Sequence, residues 1–363
     1  MTAGRRIPRA LAALLSLGLA LTGVALVATP ASAATTHTVT DSADTNTSGT
    51  LRYLLQTDAT VVSGDTIDFA PGITSVLLTG VIYVRVGLTI DGGGDVTIGR
   101  ANTGGFAQLY MYPTDAGQDF VLQNLTITGI PLGTGTALGA GYGPTNELPR
   151  DITLSNVTVT NELNNYAPIA DFYQVQGDIL IEDSTFTGND SDSGAGSGGL
   201  FVEFGSPTLT VRDSTFSDNT SGVDGAALTL LNFSGAIVIS GSTFERNHTD
   251  GNGGAISAST IGSLQILSSE FNENNADGNG GAISLSTGAD WSVSNSTFEN
   301  NDADQQGGAI YSAGVYSDSN VTDSTFTTNS AQSGGAISTL VDAAVLTVAR
   351  SSFVGNSFTS GGG

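Results

Sequence analysis

The chain contains no cysteine and no lysine, one tryptophan, two histidines and two methionines. Without cysteine there is no disulfide framework, thiolate metal site or thiol nucleophile, so packing and backbone hydrogen bonds must hold the fold. Without lysine, permanent positive charge falls to ten arginines, three of them before residue 10. Against 34 acidic residues they leave a net charge of −24. Such a surface repels nucleic acid and anionic lipid and disfavours polyanionic substrates such as pectate. It suits solubility, divalent cations and basic partners. Beyond the first thirty residues there is no second long apolar run and no block of amphipathic strands suited to a membrane barrel. A helical period of 3.6 residues is also missing from most of the chain.

The amino terminus reads as an export signal. Arg5, Arg6 and Arg9 precede an apolar run from Ala10 to Ala28, followed by Pro30 and Ala31-Ser32-Ala33. A basic start, an apolar middle and a small-x-small exit predict a secretory signal peptide over 1–33, cleaved after Ala33. The expected location is secreted, extracellular or at the cell surface, with no membrane span after cleavage.

From residue 184 one unit recurs: Ser-Thr-Phe-x-x-Asn or a close variant, a gap, Gly-Gly-Ala-Ile, then an alternating apolar stretch. The phenylalanines are Phe186, Phe216, Phe244, Phe271, Phe298, Phe326 and Phe353, spaced 30, 28, 27, 27, 28 and 27 residues apart. Three residues after each stands an asparagine: Asn189, Asn219, Asn247, Asn274, Asn301, Asn329 and Asn356. Two residues before each stands a serine, Ser184 through Ser351. Glycine pairs begin at Gly253, Gly280, Gly307 and Gly334. A 27-residue unit with three short β-like stretches is too short for a propeller blade, and it fits one rung of a parallel β-helix. Equivalent residues then stack about 4.8 Å apart along the axis. Phe stacks on Phe inside, and a buried Asn amide donates to and accepts from its own copy at the turn. Gly-Gly marks a turn needing φ > 0 or close backbone approach.

Upstream, "NLTITG" (124–129), "NVTVTN" (156–161) and "LTIDGGGDVTIG" (88–99) read as earlier rungs with aliphatics in place of Phe. The predicted fold is all-β: a single-stranded right-handed parallel β-helix solenoid of about ten rungs over 76–363, with regular repeats over 184–363. Residues 34–75 are expected to form an N-terminal cap with a short helix in "SGTLRYLLQ" (48–56), because an open solenoid end exposes unpaired strands. The last rung reads as incomplete: either the sequence is truncated there, which the bare end favours, or the uncapped carboxy terminus associates end to end with another copy.

Gly-Gly-Ala-Ile with Phe-x-x-Asn resembles the repeat of chlamydial polymorphic outer-membrane proteins, found also in secreted bacterial proteins of the pectin-lyase-like β-helix group. "GTLRYLL", "DTIDFAPGIT" and "LTIDGGG" are similar to the module that often opens such helices. The resemblance covers about residues 40–360 and implies a secreted or surface-exposed solenoid, in some members an adhesin.

Catalysis has sparse candidates. Polysaccharide lyases on this fold need a basic residue to take a proton, and glycoside hydrolases need convergent carboxylates. The best acidic cluster is Asp183 with Asp213 and Arg212 on adjacent rungs, with Glu203 as an added carboxylate. The same two aspartates also fit a plain outward column of solvated residues. For binding, the aperiodic stretch 130–150 predicts a surface loop tipped by Tyr142, near Tyr166, Phe172 and Tyr173, where a sugar ring can stack. Asp250, Asn252, Asp277 and Asn279 align across two rungs as oxygen ligands for Ca2+. No cofactor is required by the pattern, and Gln305-Gln306 occupies the same turn later. The expected function is a secreted or cell-surface, non-catalytic β-helix acting in adhesion or surface interaction, with an extracellular glycan or a host or cell-surface protein as partner. The alternative is a carbohydrate-active enzyme or carbohydrate-binding module on the same fold.

Overall fold

The computed structural model describes residues 33–360 apart from 102–107, 116, 130–135, 142–147, 161–162, 165–167, 192–196, 206–207, 289, 315–317 and 341–344. Nearly all of the expected signal peptide therefore lies outside the described residues, as does the Gly361–Gly363 tail.

Every strand pairing is parallel, and the strands fall into three sheets running along one solenoid. A wide sheet of 20 strands takes two strands from each regular rung, for example Ile179–Glu182 and Thr185–Thr187. A narrow sheet of eight short strands follows the asparagine turn, and a ten-stranded sheet takes one strand per rung. Ten rungs are thus described, matching the repeat count. Alternation along each strand sends one set of side chains inward: Ile179 and Ile181 are buried, while Leu180 and Glu182 are partly exposed.

The inner columns follow the repeat. Phe186 through Phe353 stack at centroid separations of 4.7–5.0 Å with planes within 4° of parallel. Upstream the same column continues as Val159, Ile127 and Ile98, each in register with the next. The asparagine amides form a second ladder. Each Nδ2 from Asn189 to Asn329 donates to the Oδ1 of its copy in the next rung at 2.8–2.9 Å. In the regular rungs that Nδ2 also donates to the phenylalanine carbonyl of the preceding rung, as from Asn247 to Phe216 at 2.9 Å. The serine column does related work: Ser214 N donates to Ser242 Oγ at 3.2 Å, and Ser242 Oγ to its own Ser240 carbonyl at 2.9 Å.

The bends explain the remaining regularity. Between the two strands of the wide sheet sits one residue in the left-handed region: Asn124, Asn156, Asp183, Asp213, Gly241, Ser268, Asn295, Asp323 and Arg350, with φ between 49° and 58°. Gly, Asn and Asp take this conformation most readily, which accounts for their prevalence in the column. In the glycine pairs the two residues have different tasks. Gly253 has φ +72°, whereas a Cβ on Gly254 would lie 2.1 Å from the Gly281 carbonyl oxygen of the next rung.

Residues 34–75 do more than cap. The helix Leu51–Gln56 forms, with the Thr50 side chain accepting from Tyr53 N, and Arg52 is clamped to Asp44 at 2.7 Å. Thr36–Val39 and Thr66–Phe69 also join the wide sheet as its first strands. A second departure concerns 130–150. Leu138–Ala140 is a fully buried strand between Leu109–Met111 and Ala170–Tyr173, so the expected loop contains a rung strand. Gly139 interrupts the apolar alternation that would have marked it, and the Tyr110 ring packs where its Cβ would stand. In the last described rung Val345, Val348, Phe353, Val354 and Phe358 are exposed.

Candidate functional site

The outward face of the ten-stranded sheet gathers aromatic rings in its first rungs. Ile82 and Val84 point into the core, so Tyr83 between them points out and is 40% exposed. One rung on, Leu109 and Met111 point in and Tyr110 points out, in direct register with Tyr83. Tyr112 extends that strand, its N–H donating to the Val84 carbonyl at 2.9 Å. The three ring centroids lie 6.0, 6.3 and 6.4 Å apart with planes inclined at 42–74°. Arg85 stands over this cluster, its guanidinium carbon 5.4 Å from the Tyr83 centroid and 5.8 Å from that of Tyr112.

The three tyrosines escaped the sequence reading. The signal was present, because Tyr83 to Tyr110 and Arg85 to Tyr112 are both 27 residues, the period of the regular repeat. Without a Phe-x-x-Asn turn nearby, nothing marked those strands as rungs.

Further along the same face, Asp171, Tyr173 and Glu203 share the outward side, with Tyr173 paired in register to Glu203 and Glu203 to Leu231. Tyr173 meets the Phe204 ring edge-on at 5.5 Å. Burial among these neighbours pushes the Glu203 carboxyl above its ordinary value.

The residues singled out from sequence are distributed as follows. Tyr142 and Tyr166 lie outside the described residues. Phe172 is a correction: it is 0% exposed and packs in the core, because Asp171 and Tyr173 take the outward positions on either side of it. Tyr173 does face outward. Asp183 and Asp213 occupy the left-handed bend of the wide sheet, and the Arg212 guanidinium contacts Glu182 there. Glu203 belongs to a different sheet, so the expected grouping of Asp183, Asp213, Arg212 and Glu203 is not assembled.

The four calcium candidates divide into two kinds. Asp250 and Asp277 are exposed, whereas the amides of Asn252 and Asn279 build a short outer ladder. Asn252 Nδ2 donates to Asp224 Oδ1 at 3.0 Å, and Asn279 Nδ2 donates to Asn252 Oδ1 at 3.0 Å. The Asn252 oxygen is thereby engaged as an acceptor. Among the described residues no group of three or more His, Asp or Glu side chains converges on a metal position.

Most of the described arginines are paired with carboxylates within and between rungs. Arg246 holds Asp218, and Arg350 holds Asp323; both carboxyls sit below their ordinary range, chiefly through the hydrogen bonds from those guanidinia. Arg150 contacts Asp119 and Asp151.

Parallel rungs, an inner phenylalanine column and an asparagine ladder at one turn define a β-helix. Residues 108–298 match the family described as the right-handed beta helix region, more than half of the chain, and the chain belongs to that family. Residues 295–313 match the Chlamydia polymorphic membrane protein repeat; this stretch carries Phe298, Asn301 and Gly307-Gly308-Ala309-Ile310. No curated protein matches the chain. Among solved structures it is similar to Jun a 1, the major allergen from cedar pollen, at 18% identity over 91% of this chain and 80% of that one, with a TM-score of 0.38. It is also similar to the A-module of mannuronan C-5 epimerase AlgE6 of Azotobacter vinelandii, at 12% identity over 82% of this chain and 89% of that one, with a TM-score of 0.37. Among the described residues no helix is long and apolar enough to cross a membrane.

Proposed function

We propose that the protein is a secreted or cell-surface β-helix that acts by non-catalytic surface interaction, and that it meets its partner through the outward face around Tyr83, Tyr110 and Tyr112. One observation carries this reading: Tyr83, Tyr110 and Tyr112 are gathered on one outward face over two adjacent rungs, their ring centroids 6.0–6.4 Å apart, with Arg85 over two of them. Tyrosine supplies large contact area with a polar edge and is over-represented among residues that dominate interface energy. The match to a polymorphic membrane protein repeat supports a surface location.

The test is binding of the purified chain to cell surfaces and to an array of extracellular glycans. Tyr83→Ala and Tyr112→Ala should each cost about 1–2 kcal/mol of binding, about tenfold, while leaving the melting temperature unchanged. Binding that survives both substitutions together refutes the assignment of this face.

The Glu203 carboxyl favours a second reading, a carbohydrate-active enzyme using it as a proton donor, since a raised pKa suits that task. Assays for reducing ends and unsaturated products would detect it. Turnover that is absent, or unaffected by Glu203→Gln, removes this reading.

A further inference from the structure

We infer that the three-tyrosine cluster recognises a basic segment of a partner protein, and that Arg85 is its tethered occupant. This rests on the proposal that the tyrosine face is where the chain meets its partner.

The observation that carries it is how Arg85 is held. Arg52, Arg150, Arg212, Arg246 and Arg350 each contact a carboxylate, as expected where acids so outnumber bases. Arg85 forms no ion pair among the described residues and lies instead over the faces of Tyr83 and Tyr112, at 5.4 and 5.8 Å. A cation within about 6 Å of a ring centroid is attracted by the negative face of that ring. The rings therefore already hold a guanidinium by their faces, and Tyr110 closes the third side at 6.0 and 6.4 Å from its neighbours. A pocket of three inclined rings suits a guanidinium or ammonium group better than a carboxylate, which the ring faces repel.

Charge complementarity gives the partner. A net charge of −24 draws basic molecules toward the surface, and seating one guanidinium among the rings gives that attraction a fixed address. The incoming group must take the place of Arg85, which swings out to solvent. Arg85 thus lowers the affinity of the site for an incoming cation. A second copy of the chain is a poor partner, having no lysine and the same strong negative charge.

The experiment is calorimetric titration of the purified chain with a capped Arg-Gly-Arg-Gly-Arg peptide, beside the same peptide with glutamate for arginine. Arg85→Ala should tighten the arginine peptide about two- to fivefold, the factor corresponding to one exposed cation–π contact. Tyr83→Leu or Tyr112→Leu, added to Arg85→Ala, should abolish that gain. Arg85 and Tyr83 are exposed, so these variants keep the fold. Weaker or unchanged binding of the arginine peptide on Arg85→Ala overturns the inference, as does preference for the glutamate peptide. So does glycan binding that needs Arg85. If surface binding is lost in the tyrosine variants but Arg85→Ala also weakens it, the face stands and cation recognition falls. If the tyrosine variants change neither assay, both fall.

Discussion

Replacing Asn274 by alanine tests how the asparagine ladder holds the solenoid. Asn274 is fully buried and touches three rungs. Its Nδ2 donates to the Phe244 carbonyl and to Asn301 Oδ1, both at 2.9 Å. Its Oδ1 accepts from the Asn247 backbone N–H at 3.1 Å and from Asn247 Nδ2 at 2.9 Å. Alanine removes the amide and leaves the Asn247 N–H without a partner in a dry turn, while Asn247 Nδ2 keeps only the Phe216 carbonyl and the Phe244 carbonyl loses its second donor. At about 1–3 kcal/mol for the orphaned N–H and about 1 kcal/mol for the further lost bonds, the substitution should cost about 2–4 kcal/mol, in the range reached only by specific structural damage. Because each rung touches only its neighbours, the loss should be local. Hydrogen exchange read by mass spectrometry should show faster opening in rungs around residues 244–301, with the first rungs little changed. Asn356→Ala, at the last described step of the ladder, should cost less, because Asn356 is only half-buried, so water reaches the groups it leaves, and among the described residues its Nδ2 donates to the Phe326 carbonyl with no further asparagine beyond it. A loss below about 1 kcal/mol for Asn274→Ala, or equal losses at the two positions, refutes the account.

Two more outcomes follow from local geometry. Gly281→Ala should prevent folding or strongly lower expression, since its Cβ would lie 2.2 Å from the Gly308 carbonyl oxygen, whereas Gly80→Ala meets nothing within 4 Å and should be near neutral; comparable yields for the two contradict the backbone-contact reading. Acid should loosen the amino-terminal strand. The Asp65 carboxyl is buried, which opposes its ionisation, but N–H groups of Val62 and Thr35 and the His37 ring, 2.9 Å away, outweigh burial and hold it below its ordinary value. With the folded pKa depressed, its contribution is present above the unfolded value of about 3.9 and is lost as pH falls below that toward the folded value. The Thr36–Val39 strand should therefore exchange faster below about pH 4, and Asp65→Asn should remove that dependence; an unchanged pH profile in the variant would count against Asp65 as the clamp.

The regular rungs were legible because each carries a large residue at a fixed offset from a polar one. Phe271, Asn274 and Gly280-Gly281 recur at a spacing that only stacking explains. The first rungs keep the geometry with weaker markers. Val159 and Ile127 do the work of phenylalanine, and aliphatics are common enough in any chain to leave no trace. Asp183 and Asp213 looked like a carboxylate pair because sequence carries no φ angle; their bend selects Asp, Asn and Gly whatever the chemistry outside. Phe172 was drawn outward by its company with Tyr173, yet alternation allows only one of two adjacent side chains to face solvent. Tyr83 and Arg85 needed the register of the ten-stranded sheet before Tyr110 and Tyr112 became their neighbours.

The ladders also make the molecule a ruler. Since serine, phenylalanine and asparagine each bond or stack only with copies one rung away, whole rungs are interchangeable units of length. Excising one 27-residue period between equivalent positions, such as 257–283, brings Ile256 next to Ser284, as Ser257 follows it now. Every column then closes over the gap in register, and the tyrosine face moves about 4.8 Å nearer the far rungs. Distance along the axis, rather than the chemistry of any one rung, is what this architecture lets the sequence adjust in fixed steps.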